Sequence, residues 1–532
     1  MKLGLQPLLA DGSIAVRPTR PRRASATGLL GPLDNLLVSG GDVRLALDPV
    51  TGVNKYGCKP GCTPDVLGFS SSTATSISAR AYDRANLARD QLLRSALAVG
   101  FDRAFDNRVE TMREELKAYL NLADTGAEVV FSPSGTDSQL HALFVTRALL
   151  GADLTTIVVA ADQTGSGTAH TARGRHFSER TASGGTVTCA MPLQGLGENA
   201  VSMALPASSN QSTQDDQVIA AVASAVAGGS RVLLQIMESS KLGWRLPSDA
   251  CVDEIARRWP DEVQIVVDAC QLRIGRPRLR AHLARGHMVL ITGSKYFAGP
   301  AFSGALLIPS KLAKAVGAIA DVPQGLLAYS SASDWPQAWD ALRPRFPVRH
   351  NLGQWLRWEA ALEEIRGYYE VPIAFRRRAL TAFAATARQV IAASPFLRLL
   401  PPAPRPDENP ALDEEMSETT IFPFTLQRDG VDLAPAIYRG LQGDCSGLVA
   451  LDADIAARQL AAKICLVGQP VALTGTDGRP AAALRICADA RFVTSAWSPD
   501  AELAQSNIAR ALAGISTVVA KIGLLLDGAE LR

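Results

Sequence analysis

Lys295 lies in Ile291-Thr-Gly-Ser-Lys-Tyr-Phe-Ala-Gly-Pro-Ala-Phe-Ser-Gly-Ala-Leu-Leu-Ile-Pro309, where an apolar strand runs into small and hydroxyl residues around one lysine and a second apolar strand follows. A lysine partly withdrawn from water in this way can lose its charge and form an imine with a carbonyl. The segment Gln264-Ile-Val-Val-Asp-Ala-Cys-Gln271 puts a lone carboxylate, Asp268, just after a β-branched run and 27 residues before that lysine. Such a carboxylate is suited to keep a pyridine nitrogen protonated, so that the ring accepts electrons. Lysine and aspartate in this order suggest pyridoxal phosphate as cofactor. Taken singly, each has an ordinary reading, a surface lysine or an aspartate capping a turn; their order and context favour the chemical one.

A third segment offers the anion site that such a cofactor needs. Glu128-Val-Val-Phe-Ser-Pro-Ser-Gly-Thr-Asp-Ser-Gln-Leu-His-Ala-Leu-Phe144 reads as a strand, a small-residue turn and a helix with Leu140, Leu143 and Phe144 as its apolar residues. A helix that begins there directs unpaired N–H groups and its positive dipole end at whatever sits in the turn. Ser134, Gly135 and Thr136 would add hydroxyl and amide donors around a phosphate. The same Ser-Gly-Thr-Asp is also an ordinary N-cap.

In Ser134-Gly-Thr-Asp137, Asp268-Ala-Cys-Gln271 and Thr292-Gly-Ser-Lys295, followed by Gly299-Pro and Ser303-Gly-Ala-Leu306, the chain resembles the fold type I pyridoxal-phosphate enzymes, in particular the class V aminotransferase and cysteine desulfurase branch. The resemblance covers residues 85–345 well and the remainder loosely. It implies an α/β fold with a large domain built on a mostly parallel sheet, a smaller C-terminal α/β domain, and a homodimer. It also implies that Lys295 forms the Schiff base, that Asp268 pairs with the pyridine nitrogen and that Gln271 contacts the ring hydroxyl. Ser134, Gly135, Thr136, Thr292 and Ser294 would surround the phosphate. In the small domain, Arg485 of Ala483-Leu-Arg-Ile-Cys487 would grip the substrate carboxylate through bidentate pairing. An ordinary strand arginine facing solvent is the alternative.

Two departures from the family pattern bear on the reaction. Where family members place a histidine or aromatic over the cofactor, this chain has Asp162-Gln-Thr-Gly-Ser-Gly-Thr168, so Gln163 or Thr164 would cover the ring. Where desulfurases have histidine before the lysine, this chain has Ser294. The resemblance therefore implies an enzyme acting on an α-amino acid through an external aldimine and a carbanion, with Lys295 as the base for the α-proton. Transamination, elimination and replacement share those steps. The missing cover suggests an open face and a bulky substrate or second reactant, as in β- or γ-replacement or C–C bond formation in specialised metabolism, with an aminotransferase as the alternative. A cysteine desulfurase needs a mobile thiolate; Cys445 and Cys465 precede Arg485 by 40 and 20 residues, but Cys465 lies in the apolar run Ile464-Cys-Leu-Val467. A non-catalytic scaffold is disfavoured by the intact lysine, aspartate and phosphate loop.

The elements that must position these residues are legible as alternation. Strand-like runs at 128–131, 155–161, 231–237, 264–267, 288–292 and 305–308 are separated by helical stretches, which argues for a mostly parallel sheet with helices on both faces. Ligands then gather at the carboxyl ends of the strands. The phosphate loop, 162–167, Glu238-Ser-Ser-Lys241 with Ser239 as a cofactor contact, Asp268 and Lys295 each lie just past such an end. We place an N-terminal arm at 1–78, irregular over its first 50 residues, a large domain at 79–345 that opens on a helix to about Leu97, and a small domain at 346–532. In the last, a helix is expected from Gln354 to Tyr369, a Pro-rich loop at 401–410, and strands at 419–426 and 481–487. Tyr56-Gly-Cys-Lys-Pro60 and Phe69-Ser-Ser-Ser-Thr-Ala-Thr75 suggest that the arm folds back near the mouth of the site.

Composition agrees with such an enzyme. The 532 residues are 47% hydrophobic and 20% charged, and 54 basic against 52 acidic residues leave a net charge of +2, so nothing points to nucleic acid or another polyanion. No unbroken apolar run reaches about 18 residues, and no transmembrane helix is expected. Arg17, Arg20, Arg22 and Arg23 occur near the start without the apolar core of a secretory signal. Eight scattered cysteines fit reduced, cytoplasmic thiols. Cys58 and Cys62 form the only close pair, and with no further ligands nearby no metal is expected.

Overall fold

Leu154–Val159 is buried along its whole length, as are Met288–Thr292 and Gly304–Ile308. Strands buried on both faces belong in a sheet covered from both sides. The computed structural model describes residues 26–529 except 64, 73, 403–408, 429–430, 450–454 and 475–479. The first 25 residues of the expected arm and most of the Pro-rich loop thus lie outside the described residues.

After a short β1 (Leu67–Phe69), the covered sheet is built from β2 (Glu128–Ser132), β3 (Leu154–Val159), β4 (Val201–Leu205), β5 (Arg231–Met237), β6 (Val263–Ala269), β7 (Met288–Thr292) and β8 (Gly304–Ile308). Its spatial order is β2-β8-β7-β6-β5-β3-β4. The strands from β7 across to β4 are parallel, while β8 runs antiparallel to both β2 and β7. β2 therefore points the same way as β7, and every strand but β8 delivers its carboxyl end to one edge.

The architecture is the expected α/β one, and each strand expected between 128 and 308 is present to within two residues. β4 escapes the reading because it is a short, half-exposed strand at the sheet edge. Ile157, Val159, Val267 and Ile291 share one core with the helices Ala79–Val99, Phe101–Tyr119 and Leu352–Glu370. Val130, Val266, Leu290 and Leu306 form a second core with the helix Gly135–Leu150 and Trp335. Ala79–Val99 starts at Ser78, whose hydroxyl accepts from the Ala81 N–H, and stops at Gly100, where φ is 83°. That left-handed glycine ends one helix and opens the next, which the sequence reading leaves unassigned.

The C-terminal lobe carries a second sheet, in which Ile421–Thr425 and Pro480–Cys487 are the strands expected there. They join Arg398–Leu399 and Cys465–Thr474, and β1 pairs in parallel with the latter. The helix expected from Gln354 to Tyr369 is Leu352–Glu370.

The last helix, Ala501–Ala529, bears on the expectation of no transmembrane helix. Arg510, Gly514, Ser516, Thr517 and Lys521 break its apolar runs, yet an 18-residue window has a mean hydropathy of 1.7, so by length and composition alone it is apolar enough to cross a membrane. One face, with Ala504, Ile508, Ile515, Val518 and Ile522, packs into the core.

Burial also makes two histidines acid-sensitive. His141 is fully buried beside Trp335, with neither ring nitrogen hydrogen-bonded, and burial pushes its pKa down to about 3. His287 is held down to about 3 by burial and then by neighbouring His282. A histidine whose folded pKa is depressed binds its proton first in the unfolded chain, near pH 6.5, so its contribution to stability is lost as pH falls below that value. We expect His141→Leu to lose less stability than the wild type between pH 7.5 and pH 5, by about 2 kcal/mol. Thermal unfolding at the two pH values tests this; an equal drop in both proteins would exclude His141 as an acid-sensitive group.

Candidate active site

β2 ends at Ser132, and after Pro133 the chain enters the helix Gly135–Leu150 through Ser134. Ser134 is the N-cap: its hydroxyl accepts from the Asp137 N–H at 3.3 Å and donates to Asp137 Oδ2 at 2.5 Å. Gly135 is required by its surroundings. A Cβ there would lie 2.7 Å from Cys270 Sγ and 3.0 Å from Thr292 Cγ2, so the first turn of the helix abuts the ends of β6 and β7. Gly304 of β8 supports the turn from behind, where a Cβ would meet the Ser134 backbone at 2.3 Å.

At the end of β6, Asp268 is 6% exposed and accepts two hydrogen bonds, from Gln235 Nε2 to Oδ2 at 3.1 Å and from the Cys270 N–H to Oδ1 at 3.1 Å. Both oxygens are thereby fixed. Burial raises the Cys270 thiol well above its ordinary pKa, and Asp268 raises it further while Lys295 opposes, which places both charges in reach of this thiol. Thr292 Oγ1 donates to Cys270 O at 2.6 Å, tying the end of β7 to that of β6. The buried Gln271 is the lysine's neighbour across this junction, since its carbonyl accepts from the Tyr296 N–H at 3.3 Å. Ser294 is 1% exposed and its hydroxyl has no hydrogen-bond partner.

The turns after β3 and β5 meet on the other side. Gln163 is buried and its side-chain carbonyl accepts from the Ser240 hydroxyl, while its main-chain carbonyl accepts from the Lys241 N–H at 3.4 Å. Thr164 donates to Ala161 O at 2.8 Å. Ser239 lines a cleft with Glu238, Arg273 and Thr420, between the β5 turn and the C-terminal lobe. Arg485 reaches this region from the lobe, donating to Lys241 O and to Gln469 O at 3.0 Å each, with its Nε unpartnered. At 3% exposure it is not the solvent-facing strand arginine of the alternative reading.

Two residues that the sequence does not mark, Arg273 and Arg44, join the group, together with Lys241 of the Glu238–Lys241 cluster. Lys241 has its pKa lowered to about 8, by burial first and then by Arg485 and Lys295. None of these three cations forms an ion pair with a described residue. Arg273, buried, donates to Ser71 Oγ, Thr420 Oγ1 and Ala488 O, and so connects the β6 turn to the N-terminal segment and the lobe. Arg44 of that same segment lies against Ser134 and Thr136. The segment does fold back over the site, as Tyr56–Pro60 and Phe69–Thr75 suggest: Ser71 Oγ donates to Lys295 O at 3.5 Å.

No protein-family model and no curated protein matches the sequence. Solved structures similar over most of the chain include ureidoglycine-glyoxylate aminotransferase from Bacillus subtilis, 11% identical with a TM-score of 0.48 over 88% of this chain and 99% of that one. Another is Catharanthus roseus tryptophan decarboxylase in complex with L-tryptophan, 12% identical with a TM-score of 0.47 over 96% and 92%. A phosphoserine aminotransferase from Cytophaga hutchinsonii is 13% identical with a TM-score of 0.45 over 84% and 98%. Likeness at this level assigns no family. The reading rests on the site itself.

That site fits a phosphorylated pyridine aldehyde. The cradle at Gly135 would be filled by any Cβ, a buried hydroxyl at Ser294 lacks a partner, and a fixed carboxylate and a lysine lie beyond it at the same sheet edge. A thiolate mechanism fits less well, because Cys465 is fully buried in a strand and Cys445 donates to Gly440 O at 3.1 Å.

Proposed function

We propose that the chain is a pyridoxal-phosphate-dependent enzyme acting on an α-amino acid. The observation that carries this reading is the convergence, at the carboxyl edge of one sheet, of a hydroxyl-rich helix N-terminus, a buried carboxylate and a lysine. Ser134, Gly135, Thr136, Thr292 and Ser294 would hold the phosphate, Asp268 the ring nitrogen, Gln271 the ring hydroxyl and Lys295 the aldehyde. When bound, the cofactor supplies an electron-poor ring that stabilises the electron pair left on the substrate's α-carbon. Asp268, fixed by Gln235 and the Cys270 N–H, keeps a proton on the ring nitrogen. Lys295 would also be the base that takes the α-proton. Arg485 orients the substrate carboxylate; its buried, unpartnered Nε beside Lys241 supports that role.

In the same reading Gln163, Thr164 and Ser239 contact the cofactor, and the substrate or second reactant is bulky. The turn after β3 offers Gln163, Thr164, Gly165 and Gly167 and no aromatic ring, and Gln163 is drawn toward Ser240, which supports space above the site. Replacement at the β- or γ-carbon or C–C bond formation follows, with transamination as the second reading. The test is a panel of amino acids that includes S-adenosylmethionine and O-acylated homoserines, with products followed by mass and the cofactor by its spectrum. With a nucleophile supplied as second reactant, release of the side-chain leaving group without keto acid is expected. Clean conversion to the pyridoxamine form with stoichiometric keto acid would instead establish an aminotransferase. We further read the active form as a cytoplasmic homodimer, and light scattering on the same preparation should give the mass of two chains.

A further inference from the structure

The N-terminal segment that folds over the site is anchored by the helix Leu352–Glu370. Arg357, fully buried in the helix Leu352–Glu370, donates to Leu37 O, Ser39 O, Gly40 O and Phe302 O, so one guanidinium binds four carbonyls. Gly353 lets Ser39 approach, since a Cβ there would lie 2.1 Å from Ser39 O, and Gly40 takes φ +63° against Asn351. Two residues beyond Gly40, Asp42 pairs with Arg44 through both oxygens, to Nε at 2.8 Å and Nη2 at 2.6 Å. The guanidinium is held over the Phe302 ring at 4.3 Å, with Phe177 at 5.5 Å.

An arginine held by one edge in this way presents the other edge. Here that edge meets the cradle: Nη1 lies 3.3 Å from Thr136 Oγ1 and Nη2 3.1 Å from Ser134 Oγ. Both contacts are long for a charged donor, which reaches 2.7–2.9 Å when well used, and both go to hydroxyls rather than to an anion. The Ser294 hydroxyl, two residues beyond Thr292, is buried and unpartnered. The nearest acid inside the cradle, Asp137, has its pKa pushed up to about 7 by burial and then by Asp42, so near neutrality it opposes an incoming anion only in part.

We propose that Arg44, oriented by Asp42, is a phosphate-binding residue that closes the Ser134–Thr136 cradle from the N-terminal segment. The ligand it takes is a phosphate monoester; that this is pyridoxal phosphate rests on the function proposed above. Segment and sheet thus bind the phosphate together, and cofactor retention depends on residues that precede the large domain.

The test uses full-length protein freed of bound ligand, as wild type, Arg44→Gln and Arg44→Lys, titrated with inorganic phosphate, pyridoxal phosphate and pyridoxal. Calorimetry reads the first, and absorbance of the lysine adduct reads the other two. Arg44→Gln should weaken phosphate and pyridoxal phosphate by about 10- to 100-fold and leave pyridoxal unchanged, with Arg44→Lys in between. Equal weakening of pyridoxal and pyridoxal phosphate, or unchanged phosphate affinity, would overturn the proposal. Should Arg44→Gln not fold, Arg44→Lys carries the same comparison, since it keeps the charge and loses only the fork. If phosphate binds in an Arg44-dependent way but neither aldehyde forms an adduct, the anion site stands and the cofactor reading falls.

Discussion

Incubated with pyridoxal phosphate and reduced with borohydride, the wild-type protein is expected to carry a pyridoxyl group on Lys295, and Lys295→Ala to carry none. Visible absorbance should vanish with it, and turnover should fall by at least about 10²- to 10⁴-fold, the range associated with losing a positioned base. The competing amine is Lys241, which burial and two cationic neighbours hold at about pKa 8 and which is therefore itself a nucleophile in mild alkali. Geometry favours Lys295. It follows the β7 end that packs on Gly135 through Thr292, and it shares the Cys270 environment with Asp268. Lys241 instead sits in the β5 turn beside Arg485. Lys241→Met should accordingly leave the adduct on Lys295. Peptide mapping that found the group on Lys241 in the wild type would sink the assignment.

What the sequence disclosed of this site depended on how locally each residue is encoded. Ser134–Thr136, Asp268 and Lys295 each follow a run of apolar residues and precede a turn, so a reader who finds the strand finds the residue at its carboxyl end. Arg44 has no such local mark. Its contact with Ser134 spans 90 positions, and it is one of 54 basic residues, with an Arg-rich stretch before it. Only the path imposed by Arg357 and Gly353 brings it to the cradle. Arg273 is likewise ordinary in sequence and acquires meaning when the C-terminal lobe meets the β6 turn, and Lys241, though marked by its place after β5, meets Arg485 from 244 positions away. The sequence offers Gln163 as a cover for the ring, and the Ser240 hydroxyl binds its side-chain carbonyl, an attachment between two turns 77 positions apart that no periodicity encodes.

The same logic holds for elements. β3, β6 and β7 announce themselves through the buried apolar runs Ile157–Val159, Ile265–Val267 and Met288–Ile291, whereas β4, at the sheet edge, keeps a short and half-exposed Val-Ser-Met-Ala-Leu. Phe101–Tyr119 is hidden by its charges, although Phe105, Val109, Met112 and Leu116 recur at helical spacing on the buried side. In Ala501–Ala529 the apolar character is spread over small residues, so a count of consecutive apolar positions misses what an average detects.

Asp268→Asn is expected to lower α-proton exchange and turnover by about 10²- to 10³-fold, the scale seen when a preorganised electrostatic partner is removed from an active site. The substitution keeps the side chain's shape, and the Gln235 amide can rotate to accept where it now donates at 3.1 Å, so the fold should survive. Only the charge disappears. A neutral amide at the end of β6 no longer favours a proton on the ring nitrogen, and without it the ring draws electrons weakly from the α-carbon. Cofactor affinity should change much less than turnover, because the phosphate contacts and Lys295 lie on other strands. Exchange of the α-proton into deuterium oxide, followed by NMR alongside a spectroscopic titration, separates the two effects. Exchange near the wild-type rate, with the adduct formed normally, would remove Asp268 from the chemistry and leave it a structural tie between β5 and β6.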